Sequence, residues 1–270
     1  MIEIEVRLRE LPATGAAGLL VPIPFDTRDQ TCIGCEIEGA EIAGTVRALN
    51  SGQSCHWIRE FSARDFRLVY RFEETPGTPP EWLWDLPAAP FTASDALAAQ
   101  AREITARAPD PVRSLVEHTI EHFDYGHPRR SFLAGQDTVP ALCGLTEGSC
   151  VDIHTYFISA VRTLGVPATY LHGYYFRDDA TSPGFHCWLA TRAGGETTSW
   201  DLSHALIFGR RPARPGFADY PGTRVVVGAG KDLEFDLDGL RVHCHILCHP
   251  AVVGADGVGR RPRVDVRRLA

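Results

Sequence analysis

A cysteine placed just after a helix-capping serine is set up for nucleophilic chemistry. Gly148-Ser149-Cys150-Val151-Asp152 opens a stretch in which Ile153, Phe157, Ala160, Val161 and Leu164 fall on one helical face. Ser149 suits the N-cap, and Asp152 follows three residues later as a capping-box partner. Gly165, with Pro167 just beyond, supplies the stop. Cys150 is therefore expected in the first turn of a buried helix. There the unpaired N–H groups and the helix dipole favour a thiolate over a thiol. The same N–H groups can hold the oxyanion formed when a thiolate attacks a carbonyl. Gly148 would let backbone and substrate approach closely. Taken alone, a cysteine at a helix start is more often a small buried hydrophobe, so a catalytic role requires partners from elsewhere in the chain.

A thiolate nucleophile needs a proton-transfer partner, and the next elements offer one. Residues 168–176, 185–191 and 197–202 read as strands, and Gly194-Gly195 marks a hairpin turn between the last two. With both glycines central, paired positions sum to 389, and His186 lies opposite Ser203 and diagonal to Asp201. With Ala193-Gly194 central, His186 lies directly opposite Asp201. Either register puts His186 and Asp201 on one face, and a slip of one residue would separate them. His186 is then the base, within or near hydrogen-bond reach of Cys150, and Asp201 orients its ring.

The order Gly-x-Cys, Leu-Gly-Val-Pro-Ala, Gly-Tyr, His-x-Trp, Trp-Asp is carried by Gly148, Cys150, Leu164 to Ala168, Gly173, Tyr174, His186, Trp188, Trp200 and Asp201. It resembles the transglutaminase-like cysteine enzymes. The likeness is specific over about residues 110–205 and extends weakly to Arg224–Asp232. The β-rich N-terminal third is similar to the small domain that precedes the core in bacterial members. The resemblance implies an α+β fold, with a papain-like transglutaminase core of helices packed on an antiparallel sheet, preceded by a small β-rich domain. It also implies that Cys150, His186 and Asp201 are nucleophile, base and orienting acid. There are two departures. Cys187 stands between His186 and Trp188, where such enzymes usually have a small residue such as Ala. His154 lies one turn beyond Cys150, near enough to hold a polar group of the substrate.

Residues 124–147 read as a long loop before the nucleophile helix, with hinge glycines Gly126, Gly135 and Gly144. It is expected to border the cleft and control access to Cys150. His154, Arg129, Arg130 and Trp188 are the expected substrate contacts, the two arginines for a carboxylate or phosphate. The Cys150 N–H supplies one oxyanion donor, and Gln136 and Thr146 are the only guesses for a second.

Upstream, 3–8, 17–22 and 66–72 read as strands, and Pro76, Pro79, Pro80, Pro87 and Pro90 mark a linker. This predicts a β-rich domain over 1–90 and a catalytic domain over 91–270. Ser94-Asp95 begins one helix, to about Arg107, and Asp110-Pro111 begins another, with Val112, Leu115, Val116, Ile120 and Phe123 at helical spacing.

The remaining features mostly exclude. A net charge of -7 argues against a general nucleic-acid binder, although arginines gather at 260, 261, 263, 267 and 268. No apolar run approaches the roughly 20 residues of a membrane span, and the N-terminus alternates apolar and acidic residues like a strand rather than a signal peptide. A cytoplasmic location and mainly reduced thiols are expected for the eight cysteines. Cys32-x-x-Cys35 and His243-Cys-His-Ile-Leu-Cys-His249 have metal-ligand types, but their flanks are strand-like and no metal is expected. No glycine-rich phosphate or dinucleotide fingerprint is present, and the proposed chemistry needs no cofactor. The expected activity is acyl transfer from an amide, ester or thioester carbonyl through an acyl-enzyme, with water or an amine as acceptor. The expected partner is a peptide, protein or carrier-bound acyl substrate. The alternative is a binding or scaffold protein that keeps the fold without the chemistry.

Overall fold

The computed structural model describes residues 1–11, 16–85 and 89–269 and divides into two compact units. The first comprises Met1–Leu86, Leu171–His186 and Gly222–Ala270, and the second comprises Pro87–Tyr170 and Cys187–Pro221. The arrangement is α+β. The division corrects the single break expected at residue 90, because the C-terminal residues return to the first unit. Strand Arg263–Arg268 pairs antiparallel with Ile2–Glu10, from Ile4 opposite Arg268 to Glu10 opposite Arg263. An open strand edge is closed by whatever strand fits it, however distant in sequence. Of the expected linker, Pro87 lies outside the described residues.

Besides the short hairpin Leu233–Leu237 with Leu240–Cys244, the first unit holds two larger antiparallel sheets. One runs Arg263–Arg268, Ile2–Glu10, Arg67–Glu73, Thr31–Glu38; the other runs Gly259–Arg260, Ala251–Gly254, Ala16–Pro22, Ser54–Ile58, Gly44–Arg47. The period-2 pattern of the first strand decides its faces. Ile2, Ile4, Val6 and Leu8 enter a core with Leu19, Val21, Phe66, Tyr70 and Phe72. Each such side chain contributes about 1.5–3 kcal/mol when fully buried. Glu3 and Glu5 face the other way and bond Arg71 (2.8 Å) and Arg67 (2.6 Å) on the neighbouring strand. A register shift between Cys32 and Gly34 turns both Cys32 and Cys35 toward this core, although their spacing alone would put them on opposite faces. Burial first, then Cys32 beside it, pushes the Cys35 thiol up to about 12. At Gly173 any Cβ would sit 2.0 Å from the Val225 carbonyl oxygen, so only glycine fits where the strand 168–176 meets Thr223–Ala229.

The second unit contains helices α1 (Asp95–Thr105), α2 (Pro111–His122), α3 (Cys150–Arg162) and α4 (Leu202–Ile207). The caps are those the sequence predicts. Ser94 Oγ accepts the Leu97 N–H (3.1 Å), and Asp110 accepts the Arg113 N–H (3.0 Å) ahead of Pro111. The Tyr156 hydroxyl donates to Gln100 Oε1 (2.9 Å), joining α3 to α1. The hairpin has Leu189 opposite Trp200 and Ala193 opposite Glu196. Gly194 and Gly195 have φ of 58° and 83°, the positive values such a two-residue turn requires. The hairpin strand ends at Trp200 rather than Leu202, because Asp201 caps α4 instead.

Candidate active site

Two short segments prepare the start of α3. Phe123–Tyr125 pairs in parallel with Thr146–Gly148, so both ends of the loop between them are pinned beside Cys150. A Cβ on Gly148 would come within 2.9 Å of the Phe123 ring and 3.1 Å of Asp152 Cβ, which explains the glycine. Next comes the capping box. Asp152 Oδ2 accepts from the Ser149 N–H (3.0 Å) and hydroxyl (2.8 Å), while Ser149 Oγ accepts the Asp152 N–H (3.4 Å). The remaining Asp152 oxygen accepts the hydroxyl of Ser131, a loop residue. Cys150 is the first residue of the helix and half-buried. Its N–H therefore has no acceptor within the helix.

Asp201 is buried at the start of α4. Its Oδ1 accepts the His204 N–H (3.0 Å) and the Ser203 hydroxyl (3.1 Å), and its Oδ2 pairs with His204 Nδ1 (2.7 Å). Tyr125 senses the same neighbourhood. Its phenol is pushed up to about 12 by burial first, then by Cys150, Cys187 and Asp201. Its hydroxyl also lies 3.3 Å from His127 Nε2. The Cys187 thiol is fully buried and held well above its ordinary range, by burial first and then by Cys150 alongside it. It stays neutral.

The residues expected to touch substrate divide in two. Arg129 and Arg130 are exposed on the loop, and Arg130 donates to the Ala134 carbonyl (3.4 Å). His154 and Trp188 are corrections to the expected substrate contacts, because both are 0% exposed. Trp188 stands edge-on to Phe217, with ring centroids 6.1 Å apart. His154 uses both ring nitrogens on protein groups. Helical spacing from Cys150 showed that His154 shares its face, but not that the face is covered. His186, the last residue of its segment in the first unit, is buried, with its ring centroid 6.0 Å from that of Tyr175.

Three contributors escaped the sequence reading. His204 was hidden because α4 is only six residues long and begins within a run that reads as strand. Tyr125 and Ser131 were seen only as loop residues. The parallel pairing that brings Tyr125 level with Gly148 joins segments of three residues each, too short for any periodicity to show.

Residues 95–200 match the family model of the transglutaminase-like superfamily. Among solved structures, a candidate cysteine protease from Cytophaga hutchinsonii is similar, with a TM-score of 0.48 and 14% identity over 99% of this chain and 97% of that one. The periplasmic domain of TgpA from Pseudomonas aeruginosa is also similar, with a TM-score of 0.37 and 13% identity over 78% of this chain and 90% of that one. No curated protein matches the sequence. Among the described residues, no helix is long and apolar enough to cross a membrane.

Proposed function

We propose that the protein is a cysteine-nucleophile acyltransferase or amidase, with Cys150, His186 and Asp201 as its triad. The observation that carries this reading is Cys150 as the first residue of a helix held by the Ser149–Asp152 capping box, with Cys150, Cys187 and Asp201 all close enough to raise the nearby Tyr125 phenol. The hairpin register supports the third member. The ladder ends at Leu189 opposite Trp200, so Asp201 follows directly on its last pair and His186 lies three residues before it on the facing strand.

The Cys150 thiolate attacks the carbonyl carbon of an amide, ester or thioester, and a C–S bond forms. The oxyanion is held by the Cys150 N–H and the Tyr125 hydroxyl, the second donor. Collapse breaks the bond to the leaving amine, alcohol or thiol, which takes the proton of the His186 imidazolium. Water or an amine then gives a proton to His186 and attacks the thioester, and Cys150 leaves as thiolate. Asp201 holds the imidazole in one orientation throughout. Arg129 and Arg130 grip a carboxylate or phosphate of the acyl donor from the loop rim.

The test needs no known substrate. Iodoacetamide is expected to label Cys150 selectively, with a pH midpoint below that of a free thiol near 8.5. Eight thiols of equal reactivity would instead favour a binding scaffold. Once a substrate is found in a panel of esters, thioesters and peptides, Tyr125→Phe should lower kcat by roughly 10²-fold with little change in KM, as loss of one oxyanion donor does. An unchanged kcat would remove Tyr125 from that role.

A further inference from the structure

His154 stands one turn beyond Cys150 on α3, so the two share a face. Its Nε2 accepts from the backbone N–H groups of Leu202 (3.1 Å) and Ser203 (3.4 Å). Its Nδ1 lies 3.6 Å from Cys187 Sγ. An amide nitrogen can only donate, so Nε2 carries the lone pair and the ring proton sits on Nδ1, facing the Cys187 sulfur. The tautomer is thereby fixed.

Leu202 and Ser203 are the first two residues of α4, directly after Asp201. The first N–H groups of a helix have no acceptor within it. Here the His154 ring takes the first two, and the Asp201 carboxylate takes the next, from His204. The start of α4 is thus tied to α3, the helix that begins with the nucleophile. An apolar residue of similar volume would fill the site equally well, since Ile153, Phe157 and Ile158 are buried alongside it on α3. Only a side chain with an acceptor at the ε position can also hold the two amides.

We propose that His154 is a positioning residue that fixes the turn bearing Asp201 against the nucleophile helix, and so holds the separation of Asp201 from Cys150. The inference rests on the triad reading above. His154 touches no substrate. Its effect passes through Asp201 to the imidazole, and from there to the thiolate.

Three variants of the full-length chain test this. His154→Gln places Oε1 where Nε2 stands and keeps the acceptor. His154→Asn is one carbon short and cannot reach the α4 amides. His154→Leu keeps volume without polarity. Each would be followed by the rate of Cys150 alkylation by iodoacetamide against pH, read on the Cys150 peptide by mass spectrometry, and by thermal melting. His154→Gln should match the wild-type midpoint. His154→Asn and His154→Leu should raise it by about one pH unit and slow alkylation at neutral pH roughly tenfold. Displacing a reacting group by about 1 Å costs on the order of 10²-fold, so kcat/KM should fall by at least as much as alkylation. If the Leu variant fails to fold, the Asn and Gln pair decides alone. Folded Asn and Gln variants with the wild-type profile would overturn the inference while leaving the triad standing. A wild-type Cys150 with no selective, pH-dependent reaction would sink the triad reading and this inference with it.

Discussion

Cys150→Ala should abolish turnover, by roughly 10³-fold or more, while the chain stays folded. The substitution deletes one sulfur from a half-buried position at the start of α3. The helix does not depend on that sulfur, because the Ser149–Asp152 capping box and the Ser131 bond to Asp152 remain. Alanine is also the best helix former. His186→Ala should cost a similar factor, and the double variant no more than either single one, because groups acting as a unit are not additive. Asp201→Ala should behave differently. It should leave more residual activity, yet destabilise the chain further. The change removes the cap of α4, worth about 1 kcal/mol, and strips a buried histidine, His204, of its carboxylate. Turnover and urea midpoint measured together separate the two patterns. Full turnover by Cys150→Ala on any substrate would refute covalent catalysis.

Acidification should destabilise the first unit strongly, and two histidines dominate the expectation. His172 is held down to about 3 by burial first, then by His249, against an opposing backbone bond at Gly230. His249 is held down to about 4 by burial first, and by the Arg261 cation, against the Pro250 carbonyl that its Nδ1–H meets at 2.8 Å. In the unfolded chain both titrate near 6.5. Their native values lie below the unfolded one, so the unfolded state binds more protons inside the window. The stability is fully present above about pH 6.5 and is lost as pH falls toward 4 and then 3. At pH 5 each histidine accounts for roughly 2 kcal/mol, a combined factor of about 10³ in the folding equilibrium. Urea midpoints at pH 7.5 and pH 5 measure the loss. His172→Asn should shrink the difference by about half, and an undiminished loss in that variant would place the acid sensitivity elsewhere.

Much of the second unit was legible because its signals are local. Ser94, Asp110 and Ser149 each cap the helix they announce, and Gly165 takes the positive φ of 76° that ends α3. Gly194-Gly195 announced the hairpin and left two registers, and the structure takes the one with both glycines central, pairs summing to 389. What stayed hidden depends on pairing across long distances or on burial. Nothing in Arg263–Arg268 specifies Ile2–Glu10 as its partner, since both simply alternate. His154 was placed on the correct helical face and given the wrong neighbour, because α4 covers that face and is too short to recognise. Cys187 was noted as a departure at its position, but its nearness to His154 and Cys150 needed the packed structure.

The three-residue ladder between Phe123–Tyr125 and Thr146–Gly148 separates two design problems. It fixes where the chain leaves and re-enters the body of the unit, so the parts of 126–145 that do not anchor can lengthen or shorten with only a logarithmic entropic cost, provided Ser131 keeps its bond to Asp152 and Val139 and Leu142 keep theirs to Thr92 and Gln100. Grafting a foreign loop between Tyr125 and Thr146 that keeps a hydroxyl donor to Asp152 at the place of Ser131 would then alter the rim of the site while the start of α3 stays as it is. A chain built this way can diversify its substrates by exchanging one segment, and the ladder marks where the splice points lie.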